Sequence, residues 1–411
     1  MKSIINRLII AVLCIGMLSC NSKTKKDMKT FEKGTFGYDV NYLSEKDSII
    51  ILTSDDKKAQ VLVSPGYQAK VFTSTVDGLE GASLGYLNYK VLDSKEINEH
   101  MNGYGGENRL WLGPEGGKFS IYFKPGVKQV YDNWHTPAPF DTEAWTVTSA
   151  SSKNVSMNKQ MRITNYVGTT FNVDVNRSIK LISTQEIVSM LGITITDAVK
   201  SVGYLTENRL TNTDSFEWTK ETGTICIWML DMYNPAPNSM TIVPFKEGTE
   251  KDLGIIATTD YFGEIPADRL KVVDGVLYLK TDGKNRNKLG MSRLRTKSVA
   301  GNYDPDTKKL TITTFDVAPD KIYLNQEWNP EKDPLVGDAM NAYNDGPLED
   351  GSIMGPFIEI ESASPAAFLK PAESMVHLHN VFHFIGEEED LTVITEKLFG
   401  VSIDKIKTIF K

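Results

Sequence analysis

Cysteine is nearly absent from this chain: three residues in 411, at positions 14, 20 and 226. A fold stapled by several disulfides is therefore excluded, and stability has to come from a large apolar core. Histidine is almost as rare, with five in the whole sequence. Beyond the first twenty residues no apolar run is long enough to span a bilayer as a helix. The formal net charge is −8, with no basic cluster after residue 30, which argues against nucleic acid as a partner. No glycine-rich loop is followed by Lys-Ser or Lys-Thr, so no P-loop is present, and no strand-turn-helix context supports a dinucleotide loop. What remains is a chain with 40% hydrophobic and 24% charged residues, the composition of a globular body.

The N-terminus is the most distinctive stretch. Lys2 and Arg7 precede an apolar run from Leu8 to Leu18, followed by Ser19-Cys20. The run is too short for a mature membrane helix and reads as a signal peptide over residues 1–19. A small residue directly before a cysteine resembles a bacterial lipobox, whose thiol is acylated and becomes the new N-terminus. The other reading is an ordinary secretory signal with an incidental cysteine. The lipobox reading predicts lipidation at Cys20, with the protein anchored in the cell envelope on the periplasmic or surface face of an outer membrane. The membrane would then be touched through the lipid alone. Asn21 to Thr30 is polar and Lys-rich, which predicts a solvated tether over residues 20–30. Cys14 then leaves with the signal, and Cys226, in the apolar run Ile225–Leu230, is expected as a buried small hydrophobe.

Strand patterns dominate residues 31–411. From Phe171 to Leu181 apolar and polar residues alternate, the mark of a half-buried strand. Asp274-Gly275 sits between two β-rich runs in Lys271–Lys280, a strong hairpin signal, and Gly301–Phe315 repeats the idea around Asp304-Pro305-Asp306. Ser48–Thr53, Phe119–Phe123 and Ile225–Met232 also read as strands. Helices are few. Ser183 and Glu186 form a capping box ahead of Ile187, Val188 and Leu191, with Gly192 as a stop. Leu391, Ile394 and Leu398 recur at helical spacing, and a second short helix follows Ser402. No repeat or linker divides the body. The expected fold is all-β: one large antiparallel β-sandwich domain over residues 31–411 with peripheral helices, including two at the C-terminus.

Three patches carry candidate chemistry. His377, His379 and His383 share strand parity within Glu373–Phe384, so three of the five histidines fall on one strand face. Neutral imidazoles could ligate a metal or shuttle protons there, or simply form a polar solvent-facing strand. In Phe357–Ser362, Ile358 and Ile360 alternate with Glu359 and Glu361, which puts two carboxylates on one face, suited to general base or ligand roles, or to a solvated edge. Asn102–Gly117 combines repeated glycines with Glu107, Arg109, Trp111 and Glu115. An arginine fork and an aromatic plate suit a neutral or acidic sugar, while a glycine-rich hairpin with a core tryptophan is the plain alternative. Asn234–Pro237 and Asn341–Pro347 are further polar loops.

The order of these patches resembles galactose mutarotase-like proteins related to aldose 1-epimerases. Gly106-Glu107-Asn108-Arg109 is similar to the Asn-Arg element that binds sugar in that superfamily, Thr211-Asn212 stands where a Thr-Asn-His element is expected, and Glu361 resembles the strand-borne catalytic glutamate. More closely, RLWLGPEGG, NPAPN, NAYNDGP, IEIESASPA and the His-rich segment resemble an uncharacterised family of Bacteroidetes envelope lipoproteins with this fold. The resemblance implies a galactose mutarotase-like supersandwich that binds a sugar or oligosaccharide, with or without epimerase-like acid/base chemistry. Arg109, Asn108, Trp111 and Glu359 are then expected to bind substrate, and Glu361, His377, His379 and His383 to be catalytic. The chain departs from the pattern where Thr213-Asp214 replaces the expected histidine, and for the second histidine expected downstream of Asn-Arg only His135 is available, without a matching local pattern. The six residues Arg109, Glu359, Glu361, His377, His379 and His383 are expected to converge on one concave face. A version with the histidines as metal ligands is the alternative, and no cofactor is named by the sequence.

Overall fold

Alternating residues separated by turns build strands that, among the described residues, collect into three sheets. The computed structural model describes residues 29–348 and 350–411. The expected signal peptide, Cys20 and most of the tether lie outside the described residues. The largest sheet has ten strands, in spatial order Leu270–Val273, Val276–Lys280, Met240–Pro244, Val299–Asp304, Lys309–Phe315, Ser374–Ile385, Lys200–Asn212, Thr170–Ile182, Asn154–Thr164 and Thr146–Ala150. A five-stranded sheet runs Asn287–Ser292, Asp338–Asn344, Ile358–Ala363, Cys226–Tyr233 and Arg109–Gly113. A three-stranded meander joins Ile50–Thr53, Gln60–Ser64 and Lys70–Thr75. The pairings are antiparallel, and together the sheets form the expected all-β sandwich.

The two larger sheets meet face to face. Val175, Ile179, Tyr204, Leu210 and Val381 from the ten-stranded sheet pack in one cluster with Ile227, Met229, Met340, Ile358 and Ile360 from the five-stranded sheet. Each such side chain contributes about 1.5–3 kcal/mol on burial, so this core stabilises the domain without cross-links. Cys226 is buried and unpaired, as expected.

A second apolar cluster covers the opposite face of the ten-stranded sheet. Helices Glu388–Phe399 and Ile403–Thr408 bury Leu391, Ile394 and Ile406 against Leu310, Ile312, Phe382 and Phe384, with Leu398 and Phe410 at the margin. Helix Thr184–Leu191 joins them, started by the Ser183/Glu186 capping box and stopped at Gly192. The middle of the large sheet is thus covered on both faces. On the outer face of the five-stranded sheet, among the described residues, loops and short 3-10 turns such as Tyr131–Asn133 take the place of such helices.

Local details follow the sequence, with one exception. Asp274 and Gly275 turn the Leu270–Lys280 hairpin with φ of 49° and 72°, the left-handed pair that a two-residue hairpin loop requires. The Phe119–Phe123 segment, expected as a strand, forms bends instead. Phe119, Ile121, Tyr122 and Phe123 are all buried, so the run has no polar face to present to solvent. Its backbone is satisfied locally, with Ile121 N donating to Pro114 O and Tyr122 N to Ser120 Oγ.

Candidate functional site on the outer face of the five-stranded sheet

Strand parity sorts the candidate residues onto two sides of one sheet. On Ile358–Ala363, Ile358 and Ile360 enter the main core while Glu359 and Glu361 take the outer face. Glu359 stands opposite Tyr343 and Met232, and Glu361 opposite Asn341 and Leu230. One strand further, Leu230 pairs with Arg109 and Trp228 with Trp111. On the other side Lys288 pairs with Tyr343. Alternation alone therefore gathers a cationic, anionic and aromatic set on one outer surface.

Loops raise walls around this surface. A narrow cavity of about 100 Å³ has Arg109, Trp111, Trp228, Lys288, Glu359 and Glu361 in its lining, with Trp134, Phe262, Trp328 and Phe357 beside them. It shares Glu115, Tyr131, Arg286, Lys288 and Trp328 with an outer chamber of about 490 Å³. That chamber shares Asp260, Tyr261, Gln326, Glu327 and Asn341 with a third cavity of about 530 Å³. The result is an extended cleft with an aromatic inner end. Trp111 and Trp228 meet edge to face at 5.7 Å, and Trp134 stacks on Trp328 at 5.8 Å.

Glu361 is 1% exposed and held by two donors on one oxygen: Trp228 Nε1 at 2.9 Å and Lys288 Nζ at 3.0 Å, both to Oε2. No hydrogen bond from the described residues reaches Oε1. Burial alone would lower the Lys288 ammonium, but Glu361, then Glu115, more than offset it, so Lys288 stays charged. Glu359 is ion-paired to Arg109 Nη2, and the Arg109 guanidinium lies 5.1 Å from the Trp111 ring. Burial raises the Glu359 carboxyl above its ordinary value, Arg109 opposes that rise, and Glu361 adds to it. Glu115, at the rim, is pushed up to about 7, chiefly by burial, with Lys288 opposing and Glu361 adding. Two buried donors at this end, Arg109 Nε and Trp134 Nε1, have no acceptor among the described residues.

The histidines are elsewhere. His377, His379 and His383 do share a face, but it is the inner face of the sandwich, and all three are fully buried. His377 Nε2 and His379 Nδ1 each lie 2.8 Å from Ser362 Oγ, which projects from the side of its strand opposite to Glu361. His379 Nε2 is 2.8 Å from Asp231 Oδ2, and Asp231 also accepts from Asn108 Nδ2 at 2.7 Å and Thr313 Oγ1 at 2.9 Å. His383 bridges Thr311 Oγ1 at 2.9 Å and Glu107 Oε1 at 3.0 Å. Arg177 completes the network, donating to Asn208 Oδ1, Asn108 Oδ1 and Ala69 O. The expected convergence of six residues is thus corrected to three: Arg109, Glu359 and Glu361. The physical reason is the helical cover on the other face of the large sheet. It takes Phe382 and Phe384, so the histidine parity turns inward. Among the described residues, no group of three His, Cys, Asp or Glu is placed to hold a metal ion.

Asn108, expected at the sugar, lies in the same inner network, because it has the opposite parity to Arg109. Asn212 and Asp214, at the expected Thr-Asn-His position, are structural: Asn212 Nδ2 donates to Phe216 O and Leu369 O, and Asp214 accepts from Trp218 Nε1. His135 stacks on His100 at 5.2 Å, and His100 in turn packs on Tyr131 at 4.5 Å, behind the cavity wall. Sequence reasoning missed Trp228, Arg286, Lys288 and Trp328. The even-position parity of Arg286 and Lys288 against Leu289 and Met291 was the available signal for two of them.

Comparison with solved structures gives matches at low identity. The Slr1438 protein of Synechocystis is 12% identical, with a TM-score of 0.49, over 88% of this chain and 100% of that one. A galactose mutarotase-like protein of Lactobacillus casei is 11% identical, with a TM-score of 0.47, over 82% and 100% of the two chains. A galactose mutarotase related enzyme of Lactobacillus acidophilus is 9% identical, with a TM-score of 0.40, over 82% and 97%. No curated protein matches the chain in sequence. Over residues 34–410 the chain matches one family model, and it belongs to that family, the Family of unknown function (DUF6786).

Proposed function

We propose that this protein binds a sugar or oligosaccharide in the cleft on the outer face of its five-stranded sheet. One observation carries the reading: Glu361 sits at the aromatic inner end with Oε2 fixed by Trp228 and Lys288 and Oε1 left without a donor among the described residues. A fixed carboxylate among tryptophans is what a sugar hydroxyl and an apolar ring face require. The length of the cleft suits more than one sugar unit. The sequence resemblance to mutarotase-like proteins agrees with this choice of ligand.

In the catalytic form of the proposal, Glu361 takes a proton from the anomeric hydroxyl and Glu115 returns one to the ring oxygen. Glu115 holds a proton near neutrality because burial raises it to about 7. Arg109 and Lys288 keep the two inner carboxylates in place. A second reading, glycan binding without turnover, is favoured by one fact: among the described residues lining the inner cavity there is no histidine. The two are separated by thermal-shift screening of sugars followed by NMR of anomer exchange on any hit. Exchange that is fast in wild type and lost in Glu361→Gln, with binding kept, supports the catalytic form. Binding without exchange supports the second. We further propose, from the N-terminal sequence, that the domain is displayed on the cell envelope through lipid at Cys20.

A further inference from the structure

Three cations line the inner cavity, and two of them are already matched: Arg109 with Glu359, and Lys288 with Glu361. Arg286 is not. Its Nε donates to Tyr343 Oη at 3.2 Å, and its guanidinium lies 3.8 Å from the centre of the Phe262 ring. Tyr343 donates its own hydroxyl hydrogen bond to Asp345 Oδ1 at 2.8 Å, and among the described residues no carboxylate is ion-paired to Arg286. Both Nη atoms make no hydrogen bond to the described residues, although Arg286 lines the inner cavity and the outer chamber. A guanidinium held in orientation by a ring and one hydrogen bond, with its two-pronged end unused, is a receptor for a planar anion. We propose that the cleft recognises a carboxylate-bearing sugar, a uronic acid unit within an oligosaccharide, and that Arg286 binds its carboxylate bidentately.

The inference rests on the proposed sugar site and narrows its ligand. Glu359 and Glu361 are each compensated by a cation, and burial raises the nearby Glu115 and Asp345 carboxyls above their ordinary values, so the neighbouring carboxylates do not repel such an anion strongly. Phe262 covers one face of the guanidinium and leaves its edge for in-plane bonds, which suit carboxylate and phosphate alike; the one unmatched cation of the cleft balances a carboxylate's single charge better than the charge of about −1.5 to −2 on a phosphate monoester.

The test is an array of oligosaccharides in which each carboxylate-bearing member stands beside its methyl ester, probed with the wild-type protein, Arg286→Met and Arg286→Lys. The expected hits are free uronates, at least tenfold stronger than their esters. Arg286→Met should remove that preference, lowering binding of the free uronates at least tenfold and that of the esters by a smaller factor. Arg286→Lys, which keeps charge without the fork, should retain only part of it. Thermal unfolding of each variant checks that the fold is kept. Esters bound as well as free acids, sugar phosphates preferred over uronates, or a preference that survives in Arg286→Met would overturn the inference. Binding of neutral glycans alone would leave the sugar site standing and remove the acidic unit. Binding of no glycan would remove both.

Discussion

His377 gives the sharpest test of the inward placement of the histidines. Burial, followed by the neighbouring His379, pushes its imidazole down to about 3, from an ordinary value of 6.5. A depressed folded pKa means that the unfolded chain binds the proton first. Stability is therefore complete above pH 6.5 and lost as pH falls toward about 3. At pH 4, about two and a half pH units below the unfolded value, the loss from this group alone is about 3 kcal/mol at 1.36 kcal/mol per unit. Other groups titrate in the same window, and Glu115, raised in the folded state, works in the opposite direction. The comparison must therefore be with His377→Gln, which keeps a polar group beside Ser362 and does not titrate. Urea unfolding of both proteins from pH 8 to pH 4 should show wild type ahead by about 1 kcal/mol at pH 8 for the better hydrogen bond. That order should reverse by pH 4, because wild type alone suffers the protonation penalty. A difference between the two that stays constant with pH would refute the buried neutral placement of His377.

Other consequences are more direct. Asp231→Ala strands three buried donors, on Asn108, Thr313 and His379, and should destabilise the domain by about 3–5 kcal/mol, read as a lowered urea midpoint. A loss below 1 kcal/mol would mean that the inner network is not formed. Trp328→Ala removes a ring 36% exposed at the cleft wall and should weaken the best glycan about tenfold, or about 1.4 kcal/mol, by calorimetric titration at a temperature where the variant is folded. Cys20→Ser should abolish incorporation of a fatty-acid analogue in metabolic labelling, and label retained in that variant would remove the lipid anchor.

The fold was legible because its elements declare themselves locally. The alternation in Phe171–Leu181, the Asp274-Gly275 turn and the Ser183/Glu186 cap each depend on near neighbours alone. The site was half legible for the same reason. Parity placed Glu359 with Glu361, and the three histidines together, correctly. What parity does not say is which face of a sheet meets the other sheet and which meets a helix or a cleft. That was decided by distant segments: helices after residue 387 cover Phe382 and Phe384, and so turn the histidines inward. Asn108 and Arg109 were read as one element, yet adjacent residues on a strand point to opposite faces, and the two side chains serve different networks. Trp328 and Lys288 come from parts of the chain with no sequence proximity to Glu361, and only the packing of loops against the sheet brings them to it.

The most direct test of the central claim is a crystal structure of the domain with the strongest glycan from the array. The glycan should lie along the cleft, with a hydroxyl in hydrogen-bond contact with Glu361 Oε1 and a sugar ring against the Trp228 or Trp328 side chain. A glycan bound anywhere else on the domain, with the Glu361 cleft unoccupied, would contradict the account.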